Sequence, residues 1–134
     1  MIRPEHDLQV FERELRSRVR SKGRASAEHI LAVESALIHY PNSSILLVLR
    51  GDLIQLTDDV ERWSLKDAEN SYLQAVTCEP SNPEPYESLG FYYDRTINDP
   101  KKALPYFLQA IALGAGISAQ QGLQEVKEQL ANGR

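Results

Sequence analysis

The stretch NPEPYESLGFYYDRTINDPKKALPYFLQA, residues 82–110, contains the pattern that decides the fold. Its apolar residues recur at helical spacing, and Pro83 and Pro100 stand where the first turn of a helix accepts proline. Asp99 precedes Pro100 as a suitable N-cap, and Gly114 suits a helix end. The stretch and the four residues after it therefore predict two helices, about 83–96 and 100–114, joined by a short turn.

Outside this stretch the apolar residues also follow helical rather than alternating spacing, so we expect no sheet. The spacing predicts further helices at about 4–23, 30–40, 45–56, 64–78 and 118–131. The 45–56 segment is apolar on nearly all sides, which predicts that neighbouring helices cover it. Ser64 and Asp67 have the spacing of a capping box, and Ser118 with Gln121 has the same spacing.

A pattern of small and aromatic residues repeats along the chain. Steps of four and three residues separate its members, which are Ala68, Tyr72 and Ala75, and again Ala103, Phe107 and Ala110. The period is 39 residues from Ala36 to Ala75 and 35 from Ala75 to Ala110. Because two helices approach closely only where one offers a small residue, this pattern predicts a helix-pair repeat.

At these positions the sequence resembles the tetratricopeptide repeat family. Tyr86 stands at the large aromatic position of that family's first helix, Leu89 and Gly90 at its Leu-Gly/Ala pair, and Tyr93 at its later aromatic position. Residues 99–110 match the second helix of the repeat, and the resemblance covers roughly residues 25–115. It implies one all-α domain of three helix pairs, about 4–41, 43–80 and 82–115, with a capping helix at 118–131, stacked into a right-handed superhelix.

The sequence departs from the family pattern in two places. The repeat of residues 44–80 is about five residues too long, and the surplus lies in residues 57–63, which end with Trp63, the only tryptophan. We expect this acidic segment to project into water, with Trp63 either folded back on the helices or exposed as an anchor for a partner. Pro105 lies inside a predicted helix and is expected to bend it locally.

In the resembled family, one stripe of each first helix lines a concave groove that holds extended peptides. At about 100° per residue, the corresponding stripes here combine basic, mixed and acidic segments. The predicted groove residues are Arg13, Arg16 and Arg20; Val48, Asp52 and Gln55; and Glu84, Glu87, Phe91 and Asp94. The acidic residues differ from the lysines and arginines with which family members hold a terminal carboxylate, so the resemblance does not imply that ligand.

Composition and motifs exclude several classes of protein. The 134 residues carry a net charge of −4, divided into +3 over residues 1–24 and −7 over the remainder. The longest apolar run, residues 45–49, is too short to span a membrane, and residues 1–7 do not resemble a signal peptide. A single cysteine, three scattered histidines, and no phosphate loop or nucleophile motif predict a non-catalytic cytoplasmic protein without metal or cofactor.

The sequence therefore predicts an adaptor or scaffold that binds a protein or peptide, whose identity it does not reveal. One alternative is binding of RNA or another polyanion through the basic first helix, whose cationic residues are Arg13, Arg16, Arg18, Arg20, Lys22 and Arg24. A second alternative is a regulatory subunit that docks on an enzyme through an exposed Trp63.

Overall fold

The computed structural model describes residues 8–14, 16–17 and 27–133, and every regular element in these ranges is a helix. Residues 8–14 and 16–17 are helical. The helices that follow are α1 (Ala27–His39), α2 (Ser44–Leu56), α3 (Leu65–Cys78), α4 (Pro83–Phe91), α5 (Pro100–Ala112) and α6 (Ile117–Ala131). The all-helical prediction is confirmed for the described part of the chain.

Several predicted helix ends are observed with their hydrogen bonds. The Ser64 and Asp67 side chains each accept from the other's backbone N–H, at 3.3 and 2.8 Å, and so close the capping box before α3. Asp99 accepts from the backbone N–H of Lys102 at 3.2 Å before α5. Gly114, with φ 99°, ends α5 in the left-handed conformation that glycine adopts without strain.

Two predicted helices differ in detail from the observed ones. The fifth predicted helix ends as an α-helix at Phe91 and continues as a π-helical turn over Tyr92–Thr96, in which the Ile97 N–H donates to the Tyr92 carbonyl at 3.0 Å. The last helix begins at Ile117 with Gly116 as its N-cap, and no side chain caps it, so Ser118 does not start the helix. Pro105 lies inside α5, which is continuous from Pro100 to Ala112.

The chain divides into two compact units, Met1–Ala75 and Val76–Arg134. In the first unit α2 is covered almost completely, as its all-round apolar sequence predicted. The α2 side chains that are at most 3% exposed are Leu46, Leu47, Val48, Leu49, Leu53 and Ile54. Helix α1 packs against α2 and contributes Ile30 and Val33, both fully buried. The buried side chains of α2 therefore form the centre of the hydrophobic core of this unit.

Two aromatic rings pack directly on glycines of neighbouring helices, one within each unit. A Cβ atom placed on Gly51 would lie 2.6 Å from the Tyr72 ring, so α2 and α3 pack here without room for a side chain. In the second unit, Cβ atoms on Gly90 and Gly122 would lie 2.7 and 2.6 Å from the Phe107 ring. Phe107 is fully buried, and α4 and α6 both pack on α5 around it. Glycine therefore permits these contacts by its missing side chain.

Candidate functional site

Two of the predicted groove residues of the first unit meet at one hydroxyl group. Tyr72 donates its hydroxyl hydrogen to Asp52 Oδ1 at 2.6 Å, and the Tyr72 hydroxyl oxygen accepts from Gln55 Nε2 at 2.7 Å. Asp52 and Gln55 are half-buried, on α2, one helical turn apart. The hydroxyl uses its donor and an acceptor position at once, which fixes both of these side chains relative to the α3 ring.

The other predicted residues of this unit are placed differently from one another. Val48 is only 3% exposed because α2 is covered on nearly all sides, so it offers almost no surface to a ligand. Arg13 is exposed and Arg16 is half-buried, while Arg20 lies outside the described residues. The structure thus brings together Asp52 and Gln55, and it does not describe the complete arginine stripe.

In the second unit the Phe91 ring contacts both an aromatic ring and a cationic side chain. Its ring meets the Phe107 ring edge-on, with centroids 4.9 Å apart at an interplanar angle of 80°. The Arg95 guanidinium carbon lies 4.4 Å from the centroid of the Phe91 ring, and Arg95 Nη2 is 3.3 Å from Glu125 Oε2. Phe91 itself is half-buried. A partly exposed aromatic ring beside an exposed ion pair combines apolar contact area with charge.

Asp94 does not continue this stripe as expected. The residue is 4% exposed, and its Oδ1 atom is buried without a hydrogen-bond partner in the described structure. The prediction extended the α-helical rotation past Phe91, but the π-helical turn advances each residue by a smaller angle. The predicted surface therefore consists of the half-buried Glu84, Glu87 and Phe91, without Asp94.

Trp63 adopts the folded-back alternative. Its ring is 6% exposed, and its Nε1–H donates to Glu34 Oε2 on α1 at 3.1 Å. The preceding acidic residues Asp58 and Glu61 are exposed, in agreement with a segment that projects into water. Because the ring is buried, the exposed anchor on which a regulatory subunit would depend is contradicted.

Sequence reasoning missed the polar cluster around Glu34. The Oε2 atom that accepts from Trp63 also accepts from Arg50 Nε at 2.9 Å, and Arg50 Nη1 donates to the Asp67 carbonyl at 3.4 Å. Glu34 and Trp63 are separated by 29 residues, so no local spacing indicates their contact. Arg95 was also missed, although its position four residues after Phe91 was a usable signal.

Two features are absent from the described residues. No group of three or more histidine, cysteine or carboxylate side chains there is arranged to hold a metal ion. No helix among these residues has both the length and the apolar character required to cross a membrane.

Comparison with known proteins adds no assignment, because no protein-family model matches the chain and no curated protein matches its sequence.

Proposed function

We propose that the chain is a tetratricopeptide-like repeat protein that binds an extended peptide segment without catalysis. The close contacts support the repeat. Gly51 on Tyr72 and Gly90 on Phe107 are corresponding positions in the sequence pattern, and each contact leaves no room for a side chain. The alanines that flank the two rings, Ala68 and Ala75, then Ala103 and Ala110, are all fully buried. Two helix pairs that reuse one packing scheme are expected of a repeat.

The observation that carries the binding function is the Phe91 surface, defined as Glu84, Glu87, Phe91 and Arg95. Phe91 contacts the Phe107 ring edge-on and carries the Arg95 guanidinium over its own ring, and it remains half-buried, so part of the ring stays open to a ligand. Rigid aromatic rings make good anchors because little conformational entropy is lost when a ligand contacts them. An apolar ligand side chain would rest on Phe91, and basic residues next to it would face Glu84 and Glu87.

Selection from a displayed library of random peptides tests this function. We expect enrichment of sequences in which an apolar residue lies beside lysine or arginine. Titration of an enriched peptide should then show weakening by about 1 kcal/mol for each of Glu84→Lys and Glu87→Lys, and more for Phe91→Leu, which retains an apolar group in the core contact.

Glu28→Lys and Glu61→Lys are matched controls, because both carboxylates are exposed in the first unit. Equal binding by the Phe91-surface variants and the controls contradicts the proposal. A different outcome would favour the polyanion alternative over peptide binding. In that case only the double variant Arg13→Glu with Arg16→Glu abolishes binding, and single-stranded RNA competes for the protein with a steep dependence on salt concentration.

A further inference from the structure

A cleft in the first unit lies beside the Glu34 cluster. Its volume is about 400 Å³, and it is lined by Glu34, Leu37, Pro41, Leu47, Arg50 and Gln74. Leu47 is 2% exposed and forms an apolar floor, whereas Gln74 and Pro41 are exposed at the edge. The cleft therefore combines an apolar wall with three polar side chains from three helices.

The charges in this cleft already balance each other. The side chains of Arg50 and Glu34 are 21% and 32% exposed and form an ion pair at 2.9 Å. A charged ligand would have to compete with that pair, whereas a neutral ligand leaves it intact. The neutralised charges of Arg50 and Glu34 therefore favour a ligand with an uncharged polar group.

Arg50 and Glu34 each keep an atom that can form a further hydrogen bond. Glu34 uses Oε2 for Arg50 and Trp63, and Arg50 uses Nε and Nη1 for Glu34 and Asp67. Among the described residues, no group bonds Arg50 Nη2 or Glu34 Oε1. Arg50 therefore keeps a donor and Glu34 an acceptor, and Gln74 adds an exposed amide at the rim.

We propose that this cleft binds the amide group of a neutral peptide segment that carries an adjacent aliphatic side chain. The amide oxygen accepts from Arg50 Nη2, and the amide N–H donates to Glu34 Oε1. The aliphatic side chain contacts Leu37 and Pro41. An amide is a neutral group that supplies one acceptor and one donor, which complements the donor on Arg50 and the acceptor on Glu34.

The cleft is separate from the surfaces of the proposed function. On α2, Leu47 and Arg50 are rotated by about 140° from Asp52 and Gln55, at 3.6 residues per turn. The Phe91 surface belongs to the second unit. Binding in the cleft can therefore be present or absent whatever the outcome of the peptide selection.

The test uses N-acetyl-L-leucinamide as the probe and the Trp63 indole N–H resonance as the reporter. Trp63 is the only tryptophan, and its indole donates to Glu34, so one resolved signal reports on the cleft. We expect a saturable shift of this resonance as the probe is added to the ¹⁵N-labelled full chain. Sodium acetate and methylammonium chloride, at matched ionic strength, should give no saturable shift.

Two variants sharpen the test. The exposed Gln74 amide lies at the rim of the cleft, where we expect it to bond the second amide of the probe. Gln74→Ala and Arg50→Lys should therefore each weaken probe binding about threefold to tenfold, the range expected for one lost hydrogen bond. Gln121→Ala, which removes an exposed glutamine of α6, should leave the affinity unchanged. If Arg50→Lys unfolds the chain, Gln74→Ala alone decides. A shift that does not saturate, an equal affinity for acetate, or an equal affinity of Gln74→Ala and Gln121→Ala overturns the proposal.

Discussion

The two units solve the same packing problem with different chemistry. In the first, Gly51 admits the Tyr72 ring, and the Tyr72 hydroxyl is then bonded to Asp52 and Gln55. In the second, the ring is a phenylalanine that fills the space above two glycines, Gly90 and Gly122. The Tyr72 ring thus packs on one glycine and also forms hydrogen bonds, whereas the Phe107 ring packs on two glycines and has no polar group.

Each unit should therefore be vulnerable to a different kind of substitution. The ring of the first unit contacts one glycine, and its hydroxyl is bonded to Asp52 and Gln55. The stability of this unit should therefore depend in part on hydrogen bonds that removal of the hydroxyl oxygen would break. The second should depend on shape alone, because Phe107 contacts Gly90, Gly122 and Phe91. Variants of matched size can therefore separate the two modes of stabilisation.

The largest effect is expected for Phe107→Ala. The side chain is fully buried between α4 and α6, so its removal leaves a cavity that the surrounding helices cannot fill. We expect a loss of about 3–5 kcal/mol in the free energy of unfolding, measured by urea denaturation. Leu108→Ala, at a neighbouring residue that is 47% exposed, serves as the control and should cost far less.

A somewhat smaller effect is expected for Ala110→Leu. Ala110 is fully buried on α5, and the added carbons overpack the contact, at a cost of about 1–3 kcal/mol. Ala131→Leu places the same side chain at the exposed end of α6 and should change little. Equal melting temperatures of the two variants would mean that the alignment of the repeat is wrong.

Gly90→Ser and Gly51→Ser compare the two close contacts directly. Each new Cβ would lie within 2.7 Å of a buried ring, so we expect losses of about 1–2 kcal/mol in both units. Gly116→Ser is the matched control, since no atom lies within 4 Å of its new Cβ and serine suits an N-cap. If only one of the two buried positions is sensitive, the packing schemes of the units are not equivalent.

Tyr72→Phe tests the polar half of the comparison. It removes the hydroxyl shared by Asp52 and Gln55 and keeps the ring on Gly51. The expected cost is about 1 kcal/mol in thermal or chemical denaturation, the usual net value of such bonds. Tyr86→Phe, which loses an exposed bond to the Pro80 carbonyl, should cost less. Equal losses would argue against a special role of the Tyr72 network.

The smallest expected effect is on the fluorescence of Trp63, which is measured on the native protein without any substitution. Because the ring is 6% exposed, its emission should be blue-shifted and weakly quenched by acrylamide in the native protein. The urea-denatured chain provides the reference for full access. Native quenching as strong as that reference would restore the exposed-anchor alternative.

Features with local or periodic signals could be predicted from the sequence. Helical spacing identified the helices, and the capping box at Ser64 and the N-cap Asp99 were visible because their partners lie three residues away. The recurrence of alanine and aromatic residues predicted burial of Ala68, Ala103 and Phe107, all of which are fully buried. These features are visible in the sequence because the residues concerned lie a few positions apart on one helix.

Features that depend on distant residues could not be predicted. The Glu34 cluster joins α1, α2 and the segment before α3, and no spacing in the sequence indicates which carboxylate receives Trp63. The burial of Asp94 was missed for a different reason, since helical rotation was extended through a turn that is not α-helical. The predicted stripe is therefore partly exposed as far as Phe91, and it is buried at Asp94, one turn later.

The π-helical turn over Tyr92–Thr96 has a consequence for how the length of this chain can vary. Such a turn holds one residue more than an α-turn, so it stores a single-residue insertion without moving the helix that precedes it. Tyr92 and Tyr93 remain buried within it, so the added residue does not displace these aromatic side chains from the core. A deletion here could be absorbed by reversion to α-helical bonding, whereas a deletion within Pro83–Phe91 would rotate Leu89 and Gly90 away from their partners.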